Sequence, residues 1–199
     1  MIFGERISRR YILRRYPDLE PVERYAQERR WSLISEAAEN QDLGVKHEIR
    51  WLTPTTITLH YEDDYISRQS YVYLAGDDFK ALPGLVADLT EALQPWSLDE
   101  LLQAIADART GPEQARAVLR AGLGAPMEFD QEFFDAISAC MTADEAPLRT
   151  ASVLAAGASP WPQFRPVLDR IASGDPEAEV REMAQATLRA YDRFGIGEP

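Results

Sequence analysis

Three arginines in the second half of the chain, Arg116, Arg149 and Arg181, stand 33 and 32 residues apart, and their surroundings repeat with them. Seven residues beyond each stand Leu123, Ala156 and Leu188. Upstream, Ile105, Ile137 and Ile171 keep the same register, as do Leu102, Phe134 and Leu168. A period of this length marks a supersecondary unit that cannot bury its apolar face alone and must stack on copies of itself. No other feature of the sequence restricts the fold as much.

Helix-start signals set the frame. Ser97-Leu98-Asp99-Glu100, Thr110-Gly111-Pro112-Glu113 and Thr142-Ala143-Asp144-Glu145 each match a capping box. Asp175-Pro176-Glu177 places a cap before a proline at the first helical position. The expected hairpins are 97–108 with 111–124, 130–141 with 144–156, and 161–172 with 176–192. The run Asp175-Pro176-Glu177-Ala178-Glu179-Val180-Arg181, followed by Ala184, Ala186 and Leu188, resembles a HEAT repeat of the short kind found in phycobilin-lyase-type proteins. The first two copies lack the full Asp-Pro-x-x-x-Val-Arg run. The resemblance covers about residues 97–192. It implies an α-solenoid that offers a helical face to a partner, carries no catalytic residues, and uses Arg116, Arg149 and Arg181 to fix stacking against acids of neighbouring repeats. A basic stripe for a ligand is the alternative role for these arginines.

The first half changes character. Phe3, Ile7 and Tyr11 are spaced as on an amphipathic helix, and a second helix is expected from about Pro21 to Ala38. The period then falls to two. Val45, His47, Ile49 and Trp51 alternate with Lys46, Glu48 and Arg50; Ile57, Leu59 and Tyr61 alternate with Thr56, Thr58 and His60; Tyr71–Leu74 gives a third strand. A helix from about Asp78 to Leu93 follows, with a restart near Pro83. The expected architecture is α+β: a three-stranded antiparallel meander with helices over residues 1–95, then an all-α HEAT-like solenoid of three hairpins over 96–199.

Charge narrows the function classes. The 199 residues carry a net charge of -12, and residues 51–100 hold 2 basic against 9 acidic residues. Nucleic-acid binders present a basic face, so that class is excluded here, and a protein partner with a basic patch is favoured. Only Lys46 and Lys80 are lysines, a usage typical of GC-rich bacterial genes. The single cysteine, Cys140, precludes an internal disulfide, and no apolar run is long enough to span a bilayer. Ser8-Arg9-Arg10-Tyr11-Ile12-Leu13 approaches a twin-arginine export signal, but Arg15-Tyr16-Pro17-Asp18 replaces the apolar stretch that must follow. A cytoplasmic location is expected.

No catalytic, metal or cofactor constellation stands out. His47 and His60 are the only histidines, and they fall on opposite strand faces. His47, in line with Ile49 and Trp51, reads as a core histidine, and Cys140, in line with Phe133 and Ile137, as a core thiol. Glu62, Asp63 and Asp64 break the strand pattern and, with Asp77 and Asp78, place five carboxylates at strand ends among Tyr65 and other tyrosines. They are either a rim that receives a basic partner or solvated turns. Trp161, between Pro160 and Pro162, is an interface anchor or a cap on the last repeat. The reading is a non-enzymatic interaction module, an adaptor or inhibitor that binds another protein, with an immunity-type role against a basic toxin as one option within that class. An enzyme or accessory subunit with a site between the halves is the alternative.

Overall fold

The computed structural model describes residues 6–39, 46–77 and 80–197. The chain divides into two compact units, Met1–Trp96 and Ser97–Pro199.

The first unit is built on an antiparallel sheet. Its strands are β1 (Arg6–Ile7), β2 (Tyr11–Ile12), β3 (Ser32–Ala37), β4 (His47–Leu52), β5 (Thr58–Asp64) and β6 (Gln69–Gly76). The order is β1-β6-β5-β4-β3, with β2 also on the β6 edge, so six strands fill five positions. Register fixes the faces: Ile49 opposes Tyr61, Trp51 opposes Leu59, and Tyr61 and Leu59 oppose Val72 and Leu74. These six side chains are buried beneath two helices, α1 (Leu19–Glu28) and α2 (Leu82–Leu93). α1 contributes Val22, Tyr25 and Ala26, the i, i+3, i+4 stripe that one helical face requires. α2 contributes Leu85, Val86 and Leu89. Arg29 clamps the two helices by a two-pronged ion pair with Asp88, which also accepts the Tyr25 hydroxyl at 2.9 Å.

Four expectations for this unit are corrected, the first being the three-stranded meander, which is the β4–β6 part of a six-stranded sheet. The segment read as a first helix forms β1 and β2 instead; Phe3 lies outside the described residues, as does Val45 of the β4 pattern. Two dipeptide strands separated by Ser8–Arg10 mimic the i, i+4 spacing of Ile7 and Tyr11. The second helix ends at Glu28, because Arg30 takes a left-handed conformation (φ 56°) and the chain leaves as β3. No glycine or proline announces that stop. Finally, β5 runs on through Glu62, Asp63 and Asp64 rather than ending before them.

The second unit has six helices: α3 (Leu98–Asp107), α4 (Gly111–Gly124), α5 (Gln131–Cys140), α6 (Ala146–Ala158), α7 (Arg165–Gly174) and α8 (Ala178–Arg193), with a 3-10 turn at Pro162–Phe164. α4 packs on α6 and α6 on α8, while α3, α5 and α7 pair with α4, α6 and α8 respectively. Among the described residues no strand occurs beyond Gly76, and no helix is long and apolar enough to cross a membrane. The Ser97 box is complete, with Ser97 Oγ accepting from the Glu100 N–H at 3.1 Å and the Glu100 carboxylate accepting from the Ser97 N–H at 2.8 Å. The Thr142 box does not form: Thr142 follows α5, its hydroxyl donates to the Ala139 carbonyl, and α6 starts only at Ala146, with Pro147 in its first turn. α4 and α6 approach so closely that a Cβ on Gly122 would lie 2.5 Å from Ala155 Cα, which accounts for the small residues on this seam.

Candidate functional site

The sheet turns one face to α1 and α2 and carries a dense polar array on the other. There the Glu62 carboxylate accepts the hydroxyls of Tyr71 and, at 3.0 Å, Tyr73. Lys46 Nζ donates to Tyr71 Oη at 2.8 Å and lies 3.5 Å from both Glu62 and Asp64. Glu48 takes a bidentate pair from Arg50 at 2.9 and 2.8 Å and bonds to His60 Nδ1 at 3.0 Å. His60 Nε2 bonds to Thr58 Oγ1 at 2.8 Å, and its ring stacks on Tyr73 at 4.5 Å. Burial lowers the His60 pKa, with the Glu48 hydrogen bond opposing it. Burial works against the Glu48 carboxylate, but the bonds from Arg50 and His60 outweigh it and hold that pKa below the usual range. Burial, reinforced by Glu62, pushes the Tyr71 and Tyr73 phenols up, so both are donors at neutral pH.

Asp63 points to the opposite face. It accepts the Tyr61 hydroxyl at 2.6 Å and the Ser70 hydroxyl, and lies 3.5 Å from His47 Nδ1. Asp64 caps the following turn through the N–H groups of Ile66 and Ser67. The acids expected at exposed strand ends are therefore largely internal: Asp63 and Asp64 are buried, and Glu62 is half-buried. Strand pairing is the reason, because each carboxylate sits opposite or beside a hydroxyl or ammonium that offsets its desolvation. Tyr65 is half-buried, Asp77 is exposed, and Asp78 lies outside the described residues. The histidines do fall on opposite faces: His47 is half-buried beside Tyr61, and His60 is buried on the other side. Trp161 is not an exposed anchor. It is 3% exposed, stacked on Phe164 at 5.7 Å and edge-on to Phe129 at 5.6 Å, because the prolines on either side turn it inward. Cys140 is buried, and burial raises its thiol pKa.

The three repeated arginines differ. Arg149 is buried and reaches into the next hairpin, where Nε and Nη2 donate to Asp175 at 2.7 and 2.9 Å. Its Nη1 donates to the carbonyls of Ala143 and Asp144. The Arg149 bonds hold the Asp175 carboxyl below its usual range against the opposing effect of burial. An open depression of about 500 Å³ lies beside this pair, lined in part by Met141, Val167, Arg170 and Pro176. Arg181 anchors Nη1 on the carbonyls of Asp175 and Pro176. Arg116 is exposed beside Asp107, Glu113 and Arg120 and makes no such rung. The sequence gives the reason: Asp175 stands six residues before Arg181, but Ala143 stands six before Arg149.

No protein family, curated protein or solved structure matches this chain. Function must therefore be argued from its own surfaces. Among the described residues no cluster of three or more His, Cys, Asp or Glu side chains is gathered as a metal site would be. What the array on the outer sheet face can do is hold register, since its hydroxyls, carboxylates and imidazole nitrogens bond to one another. The surface that lacks partners is β3. Among the described residues it pairs with β4 only, all six of its residues are exposed, and Leu33 and Ile34 are 56% and 50% exposed beside Leu52 at 43%. Sequence reading missed it by assigning the segment to a helix.

Proposed function

We propose that the chain is a protein-interaction module in which a small α+β unit is joined to a HEAT-like repeat unit. The observation that carries this reading is β3. A six-residue strand with one edge unpaired among the described residues, and with exposed Leu33, Ile34 and Leu52, invites an extended segment of another protein to add a strand. Natural edge strands are usually guarded, and this one has a single irregularity, between Leu33 and Ser35, and a single charge, Glu36. The repeats support the same reading, since stacked hairpins expose continuous helical surface. A net charge of -12 favours a partner with a basic patch, consistent with an inhibitor or immunity role against a basic toxin. The experiment is site-specific photo-crosslinking from position 34 in cells of the source organism. One dominant protein adduct, lost in Leu33→Asp, is the expected result. A pattern of adducts no different from that of a probe at exposed position 91 would reject the edge as the binding surface.

A further inference from the structure

Arg149 and Arg181 hold their guanidinium groups in the same way. Nη1 of Arg149 donates to the carbonyls six and five residues upstream, Ala143 and Asp144, both at 2.9 Å. Nη1 of Arg181 donates to the carbonyls six and five residues upstream, Asp175 and Pro176, at 2.6 and 2.9 Å. In Arg149 this anchoring aims Nε and Nη2 at a carboxylate, and Asp175 fills the fork. In Arg181 the same two nitrogens make no hydrogen bond or ion pair among the described residues. A planar fork fixed by two carbonyls is organised in advance for bidentate carboxylate binding, because its rotamer entropy is already spent.

We propose that Arg181 is an open rung, a docking point for a helix-start aspartate on another protein. Asp175 shows what fills such a fork. Its Oδ1 also accepts the Glu177 N–H at 2.9 Å, so the carboxylate is held in the turn just ahead of α8, not capped onto the helix as Asp175-Pro176 suggested, while Arg149 grips it. Arg181 is half-buried on α8 with Glu177 one turn before it and Glu182 beside it, so it is the preset fork and not a basic patch that selects the carboxylate. The docked helix stacks on α8 as the α7–α8 hairpin stacks on α6. The inference rests on the repeat reading of α3–α8 and is independent of the β3 edge.

The test uses the full chain and a hydrocarbon-stapled, acetylated peptide with the sequence of residues 173–191, whose one aspartate, Asp175, is the one that fills the internal fork. Arginine Nε–H resonances are followed by NMR during titration. The Arg181 signal is expected to move and saturate. The Asp→Asn peptide should bind at least about tenfold more weakly, the ratio expected for loss of a charge-assisted bidentate bond. Arg181→Gln and Arg181→Lys should each lose the binding, the lysine variant because it keeps charge without the fork. Equal binding of the Asn peptide, or full binding by Arg181→Lys, would overturn the proposal. So would a dimer of the free protein that Arg181→Gln dissociates, since the occupant would then be a second copy. The repeat reading itself fails separately, if an aspartate placed at position 143 does not pair with Arg116.

Discussion

The sheet unit and the helical unit both bury carboxylates, and they satisfy them over different ranges. Asp63 is met by hydroxyls on its own strand and the next, Tyr61 and Ser70, within a network that closes on itself. Asp175 is met by an arginine 26 residues earlier, in the preceding hairpin. The first arrangement fixes strand register, because sliding β5 by one residue would carry Asp63 to the other face. The second ties two successive hairpins together, because Arg149 lies in α6 and Asp175 in the connection between α7 and α8.

Substitutions sharpen that contrast in order of size. Arg149→Ala leaves Asp175 buried without its counter-charge and should cost about 3–5 kcal/mol in chemical denaturation. Arg116→Ala in the same assay should fall within about 0.5 kcal/mol of wild type, as an exposed side chain outside any rung. Similar losses at the two positions would dissolve the distinction between them. Gly122→Ala should cost about 1–3 kcal/mol despite the better helix propensity of alanine, because the new Cβ meets the α6 backbone at Ala155. A stabilised variant would show that the α4–α6 seam is looser than described. Asp63→Ala should cost about 1–2 kcal/mol by stranding the Tyr61 and Ser70 hydroxyls. If it instead left stability intact and slowed binding to a partner, Asp63 would be a docking charge after all.

The smallest expected effect is a pH dependence in the sheet unit. The His60 pKa is lowered in the fold from its ordinary 6.5, so the unfolded chain takes up the proton first. Stability is then full above about pH 6.5 and declines as pH falls below it. His60→Gln should flatten that limb of a pH series of thermal melts, and an unaltered slope would place the titration elsewhere.

Much of the helical unit was legible because helices declare themselves by their period and by start signals such as the Ser97 box. Ile105, Ile137 and Ile171 mark the pattern in sequence, and all three are buried. The sheet was half legible. β4, β5 and β6 alternate clearly, but β1 and β2 are two residues each, too short for any period to appear. β3 was hidden because its residues are exposed on both faces, so no alternation of apolar and polar residues was required of it. Glu62, Asp63 and Asp64 misled for a related reason: three adjacent acids suggest solvent, and only strand pairing reveals the tyrosines, serine and lysine that neutralise them. The rung at Arg149 was half foreseen. The arginine repeat was visible, but its acid partner became apparent only when Asp175 and Ala143 were compared at the same position of successive repeats.

Position 143 is also where the account is tested most directly. Ala143 and Asp175 are equivalent by geometry, since the carbonyl of each accepts from Nη1 of the arginine six residues later. If the helical unit is a ladder of arginine–aspartate rungs, Ala143→Asp should supply the missing carboxylate to Arg116. The expected gain is about 1 kcal/mol in unfolding free energy, abolished when Arg116→Ala is added. No gain, or a gain that survives the loss of Arg116, would contradict the ladder and with it the repeat reading of the second unit.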